Sequence, residues 1–249
     1  MTRAERPSCW SSGAATAEAS HPARRGRRGL GALLLGGGVG AREPAAGGRL
    51  LRVDPATDRV TARIPLPGGH PKAVGAGEGG IWVAGYRDRQ DRPGGVIEHA
   101  PVLWRVDPRT SQVVSSLAPP GRPVALMGSD ASPPAVLASR GAVFVSDPPT
   151  GVVWQVDPRR HRFVGSMAIS QGGPLAAAAG VVWAGGANSL VPLTGPDAGG
   201  YGPRLRDPLG RWITGLAASA DTLWVATSDA LYRVDPRGLA RTHRRLVVG

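Results

Sequence analysis

Short apolar, β-prone runs separated by turn-forming residues make up most of this chain, and one run recurs four times. Each copy ends in Val-Asp-Pro and predicts a strand entering a tight turn, since the Asp side chain can bind following amides and proline fixes φ. The four copies are Leu50–Pro55, Leu103–Pro108, Val153–Pro158 and Leu231–Pro236. No long stretch shows a 3.6-residue period, so the pattern predicts an all-β protein.

A second run containing an aromatic residue precedes most copies of this motif. Its members are Ile81-Trp82-Val83, Val143-Phe144-Val145, Leu223-Trp224-Val225 and the weaker Val181-Val182-Trp183. Four short strands can be assigned to a full unit; in the second unit the middle two are Gly80–Gly85 and Val102–Asp107. Units of roughly 40 residues match the size of a propeller blade.

These units predict an all-β β-propeller of about five four-stranded antiparallel blades, or a shortened form of a six- or seven-bladed ring. A blade that is apolar on both faces must stack on equivalent neighbours, and radial closure provides them. The predicted segments are a disordered or targeting lead-in at 1–27 and a propeller at 28–249, with blades at about 28–67, 70–121, 134–172, 174–208 and 212–249.

Two sets of repeated side chains have structural interpretations. One aromatic per blade predicts packing between blades, and the set is Trp82, Phe144, Trp183 and Trp224. In three copies of the motif an arginine stands two residues before the turn aspartate, hence on the same strand face. We expect Arg52, Arg105 and Arg233 to bind Asp54, Asp107 and Asp235 of their own turns.

The segment from Leu30 to Ala41 has two interpretations. In the first, paired arginines, an apolar run and the small residues Val39-Gly40-Ala41 form a twin-Arg-like targeting segment. In the second, which we favour, Val39–Ala41 aligns with Val143–Val145 as the second strand of the first blade, and Leu30–Gly38 is the strand before it. The first implies an extracytoplasmic or secreted protein, and the second allows a cytoplasmic one.

The repeats resemble the YVTN-type bacterial β-propeller family, which overlaps with streptogramin (virginiamycin B) lyase-like propellers. The residues that carry the likeness are Gly77–Ala84, Val102–Thr110, Arg63–Pro67 and His70–Val74. The resemblance implies a propeller fold and a bacterial, extracytoplasmic setting. In the lyase relatives a histidine and glutamates act with a divalent metal, but their Pro-His-Gly turn does not occur here, so no catalytic residue is assigned.

Composition narrows the candidate partners without naming one. The formal charge of +12 invites a nucleic-acid interpretation, yet all basic residues except Lys72 are arginine and most are interspersed with acids. Charge of this kind gives only weak, salt-sensitive attraction, so nucleic acid is a disfavoured partner. The lone Cys9 excludes an internal disulfide and a cysteine-based metal cluster. The sequence predicts no cofactor, no metal site and no transmembrane helix.

The densest group of ionisable side chains falls in a predicted loop from Tyr86 to Pro101. Its candidate binding residues are Arg87, Asp88, Arg89, Asp91, Arg92, Glu98 and His99. Loops on a rigid scaffold commonly carry binding residues, whereas alternating charges also describe a solvated, self-neutralising loop.

We therefore predict a non-enzymatic scaffold that binds a protein or small ligand at one face of the propeller. The alternatives are a streptogramin-lyase-like enzyme using Glu98 and His99, and a nucleic-acid-binding propeller. If the ring is open, dimerisation through its exposed edges is expected.

Overall fold

The computed structural model is built almost entirely of short antiparallel strands. It describes residues 33–36, 47–90, 97–120, 133–169, 172–186, 189–194, 205–206, 212–219, 221–228 and 230–239. The strands of the first two sheets are β1 (Leu33–Gly36), β2 (Arg49–Asp54), β3 (Arg59–Pro65), β4 (Gly69–Gly77), β5 (Gly80–Gln90), β6 (Ile97–Asp107) and β7 (Gln112–Leu117). None of the described residues forms an apolar helix long enough to cross a bilayer.

The remaining strands form three further sheets. They are β8 (Ala135–Ser139), β9 (Ala142–Asp147), β10 (Val152–Asp157), β11 (Arg162–Ala168), β12 (Leu175–Ala178), β13 (Val181–Gly185), β14 (Ser189–Pro192), β15 (Leu205–Arg206), β16 (Ile213–Ala218), β17 (Leu223–Thr227) and β18 (Leu231–Val234), followed by the short helix α1 (Pro236–Leu239). In the described part of the chain, the second, third and fourth sheets have four strands, and the first and fifth have three. Consecutive strands pair within every sheet, so the predicted unit of four antiparallel strands is confirmed.

Each of the four Val-Asp-Pro turns is closed by its aspartate, as the motif predicts. Asp54 Oδ1 accepts a hydrogen bond from the Ala56 amide at 2.9 Å, and Asp107 Oδ1 accepts one from Arg109 at 2.7 Å. The same contact recurs from Arg159 to Asp157 at 2.8 Å and from Arg237 to Asp235 at 2.9 Å. The motif therefore ends the third strand of a sheet through contacts within the turn itself.

The sheets stack face against face, and each has a forward face toward the next sheet and a back face toward the previous one. In the second sheet, Trp82 and Leu103 lie on the forward face, and Val83 and Trp104 lie on the back face. Four apolar clusters lie between the sheets, and each cluster joins one sheet to the next along the chain, from the first sheet to the fifth. Among the described strands, no comparable contact joins the fifth sheet to the first.

The aromatic prediction is confirmed for three of its four residues. Trp82, Phe144 and Trp183 are buried between sheets, whereas Trp224 at the same position of the fifth sheet is 38% exposed. Trp224 is exposed because no following sheet covers its forward face within the described residues.

The predicted strand order of the first blade is wrong. Leu33–Gly36 pairs directly with β2, with Leu33 opposite Arg52, as Phe144 lies opposite Gln155 in the third sheet. It is therefore the second strand of its sheet, the place predicted for Val39–Ala41. The second strand of the other sheets carries a large apolar residue at the position equivalent to the one opposite Arg52, and Leu33 matches it by residue type, whereas Gly40 does not. Val39–Ala41 and the lead-in 1–27 lie outside the described residues.

The arginine prediction is also wrong. Arg52 and Arg105 do not bind the aspartates of their own turns; their guanidinium groups reach the carbonyls of Pro108 and Pro158 in the next sheet. The turn aspartates already accept backbone amides, which leaves the arginines to extend over the interface.

Candidate functional site

Strands β5 and β6 form a hairpin that projects beyond its own sheet. β4 pairs with β5 only as far as Arg87, and β7 pairs with β6 only between Leu103 and Asp107. Beyond these points the two hairpin strands pair with each other, out to Gln90 opposite Ile97. The predicted loop at Tyr86–Pro101 is thus largely strand, a correction of the sequence interpretation.

Acidic and basic residues occupy opposite register positions across this hairpin. The backbone register places Asp88 opposite His99 and Arg89 opposite Glu98. Asp88 Oδ2 also lies 3.0 Å from His70 Nε2, with both side chains about half exposed. A pair of opposite charges across a ladder stabilises it modestly, and Asp88 has His70 of the neighbouring strand β4 as a partner.

The base of the hairpin is fixed by Arg87 and Trp104. The Arg87 guanidinium lies 5.5 Å from the centroid of the Trp104 ring, a cation–π contact, and Trp104 is fully buried. The indole fits because Gly69 has no side chain: a Cβ there would lie 2.2 Å from Trp104 Cζ2. Arg87 therefore supports the hairpin and is not presented freely to a ligand.

A small recess opens between the hairpin base and the third sheet. Tyr86 and Asp147 line it, each only 5% exposed, together with Trp154 and Phe163, whose rings meet edge to face at 5.8 Å. The recess has a free volume of about 10 Å³, roughly that of one water molecule. It accommodates a single small group rather than a whole ligand.

The polar groups of this recess are incompletely satisfied. Thr150 Oγ1 donates to Asp147 Oδ2 at 2.8 Å. The Tyr86 hydroxyl faces the same carboxylate outside the geometry of a regular hydrogen bond, and neither it nor Trp154 Nε1 has a partner among the described residues. Burial raises the pKa of Asp147 above its usual value, against the opposing effect of the Thr150 and Tyr86 hydroxyls. Burial and the charge of Asp147 raise the pKa of Tyr86 well above its ordinary range.

Of the predicted binding residues, the structure describes the side chains of Arg87 and Asp88. Arg89, Glu98 and His99 are placed by backbone register alone, and Asp91 and Arg92 lie outside the described residues. Within the described part of the chain, no group of three His, Cys, Asp or Glu side chains could hold a metal ion. The involvement of Glu98 and His99 in a lyase site remains a prediction.

Sequence reasoning missed the residues of the recess. Tyr86 falls at the start of the predicted loop, and the sequence patterns do not single out Asp147. Two signals were available: Pro93-Gly94-Gly95 marks a hairpin turn between the two strands, and Asp147-Pro-Pro-Thr150 marks a turn in which a hydroxyl caps a carboxylate. Nothing in the sequence shows that the two meet.

Comparison with known proteins supports the architecture. No family model matches the chain, and no curated protein matches it. The structure of U3-55K superposes with a TM-score of 0.52 at 12% identity, over 77% of this chain and 58% of that one. The Dos1 propeller superposes with a TM-score of 0.51 at 10% identity, over 76% of this chain and 47% of that one. The chain thus spans about half the length of these two structures. Together with the stacked antiparallel sheets, these likenesses show that the chain has the β-propeller fold.

Proposed function

We propose that this protein is a non-enzymatic binding scaffold that takes an extended segment of a protein partner at the β5–β6 hairpin. The observation that carries the proposal is an open strand edge. β7 ends at Leu117 and is followed by Ala118-Pro119-Pro120, so the edge of β6 from Ile97 to Val102 has no neighbouring strand among the described residues.

An extended peptide can add to such an edge through backbone hydrogen bonds. Pro101 has no amide hydrogen, so the ladder would use the residues before it, Ile97 to Ala100. The same edge borders the recess, because Pro101, Val102 and Pro119 are among its lining residues. A donor group on the partner could then complete the hydrogen bonding of Asp147 and Tyr86.

The charged rim of the hairpin contributes specificity. Its acidic and basic residues stand at opposite register positions of the two strands, and this alternation favours a partner segment with complementary charges. From the sequence resemblance, the proposal includes membership of the YVTN-type family and a location outside the cytoplasm. Cell fractionation with an antibody against the chain would test the location.

A random peptide library displayed on phage tests the proposal directly. Peptides are selected on the immobilised full chain and counted against a control in which Asn-Gly replaces residues 88–99. That replacement joins Arg87 to Ala100, which are already cross-strand partners, through the shortest hairpin turn. We expect the enriched peptides to bind the full chain at least about tenfold more tightly than the control, a difference of about 1.4 kcal/mol.

Hydrogen–deuterium exchange then locates the bound peptide. Protection of the β6 amides before Pro101 is the expected result. Peptides that bind both chains equally, or that protect a different sheet, would show that the open edge is not the binding surface.

A further inference from the structure

An arginine of one sheet holds a turn of the next sheet at two interfaces. Arg52 Nη1 donates to the Pro108 carbonyl at 3.3 Å and to Ser111 Oγ at 3.4 Å. Arg105 Nη1 donates to the Pro158 carbonyl at 3.3 Å and contacts the His161 ring. In both cases the arginine stands two residues before its own turn, and it binds the second and fifth residues of the following one. The contact is therefore a repeated element of the architecture.

One arginine and one turn of this kind have no partner of the other kind among the described residues. In the described residues, three of the Val-Asp-Pro turns have a fifth residue with positive φ: Asp58 at 53°, Ser111 at 56° and His161 at 50°. Three strands carry arginine at the matching position, in the first, second and fifth sheets. Ser111 and His161 are taken by Arg52 and Arg105. Arg233 and Asp58 remain, and both are exposed and make no hydrogen bond or ion pair within the described part of the chain.

The forward face of the fifth sheet is an uncovered copy of a buried interface. Trp224 and Leu231 flank Arg233 there and are 38% and 59% exposed. Their equivalents in the second sheet, Trp82 and Leu103, are 0% and 1% exposed. Aromatic and leucine side chains exposed around an arginine are typical of a contact surface.

The back face of the first sheet is uncovered in the same way. Val53 is only half-buried, and Val60, which lies opposite it, is 38% exposed. The equivalents of Val53 in the second and third sheets, Val106 and Val156, are fully buried. The chain thus carries both halves of a further sheet-to-sheet interface, and the described residues leave both halves partly exposed.

We propose that a second copy of this chain supplies the missing half. The first sheet of one copy covers Trp224 and Leu231 of the other, and Arg233 binds the Pro55 carbonyl and the Asp58 carboxylate. Where the two existing contacts end on a serine and a histidine, this one ends on an acid, so its charges are complementary. Two copies make the contact twice about a two-fold axis and close a head-to-tail dimer. No hairpin residue takes part, so this contact is independent of the proposed function.

Charge reversal tests the contact, because Arg233 and Asp58 are exposed and their replacement leaves the fold intact. Arg233→Asp places two acids together, and Asp58→Arg places two bases together. Sedimentation velocity over a range of concentrations should show a dimer for the unchanged chain and at least about tenfold weaker association for each variant. Arg109→Asp changes the net charge equally at an exposed turn and should leave the dimer unaffected.

Mixing the two single variants is the decisive step. In a mixed dimer, one contact pairs the two reversed charges and the other pairs Arg233 with Asp58 unchanged, so full association should return. A monomeric unchanged chain, or a mixture that stays monomeric, overturns the proposal. If only the double variant Arg233→Asp/Asp58→Arg recovers the unfolding midpoint, the pair closes within one chain and the second copy is refuted.

Discussion

Replacing Arg105 by methionine tests whether the arginine contacts hold the sheets together. The guanidinium spans the interface between the second and third sheets: it donates to the Gly79 carbonyl at 3.2 Å and the Pro158 carbonyl at 3.3 Å, and lies 5.3 Å from the centroid of the Trp82 ring. Methionine keeps most of the apolar stem and removes these contacts together with the contact to the His161 ring.

The expected loss follows from the number and quality of the contacts. Two long hydrogen bonds from a charged donor contribute about 1 kcal/mol each, and the cation–π contact contributes about 0.5–1 kcal/mol. Pro158 is buried, so its carbonyl is left without that partner. We expect Arg105→Met to lower the free energy of unfolding by about 3 kcal/mol and the urea midpoint by about 1 M.

Urea titrations followed by far-UV circular dichroism measure this loss, with two companion variants. Arg109→Met removes an exposed arginine of the same turn and should change stability by less than about 0.5 kcal/mol. Arg105→Lys keeps the charge without the planar fork and should recover less than half of the loss. If Arg105→Met stays within about 0.5 kcal/mol of the unchanged chain, the arginine does not stabilise the interface and the reasoning fails.

Two further predictions concern the candidate site. Gly69→Ala should lower the melting temperature, at a cost of about 1–3 kcal/mol, because its Cβ would overlap the Trp104 ring; Gly165→Ala, whose nearest neighbour would lie at 3.6 Å, is the matched control and should be near neutral. Asp147→Asn should be more stable than the unchanged chain at neutral pH. Because burial raises the folded-state pKa of Asp147, this group destabilises the fold above that pKa, and its contribution recovers as the pH falls toward the unfolded value of 3.8. The difference in urea midpoint between the two proteins should therefore shrink on acidification, and a difference that does not change with pH would contradict the assignment.

The sequence predicts the parts of this fold that are encoded locally. The Val-Asp-Pro motif identifies the third strand of a sheet because the aspartate caps amides only two residues away, and proline sets the turn. The paired aromatic run identifies the second strand.

The errors arise where the deciding contact is not local. The partner of Arg105 lies in the next sheet, and no spacing along the chain reveals it. The hairpin was predicted as a loop because Arg87 to Arg92 shows no apolar alternation, whereas the backbones of β5 and β6 pair as far as Gln90 opposite Ile97. Tyr86 and Asp147 are about sixty residues apart, so the recess depends on the stacking of two sheets. The open edge of β6 requires knowing where β7 ends.

The arginine contact is missing where the fourth sheet joins its neighbours. The third sheet has Gln155 at the arginine position and the fourth has Pro192. Repeat proteins fold and unfold as units whose cooperativity depends on each nearest-neighbour interface. The first three sheets should accordingly behave as one cooperative block, and the fourth and fifth should open at lower free energy. These three sheets leave the ribosome before the fourth and fifth, so the most strongly coupled sheets can assemble before the weaker ones are synthesised, and can then serve as the template on which those sheets dock.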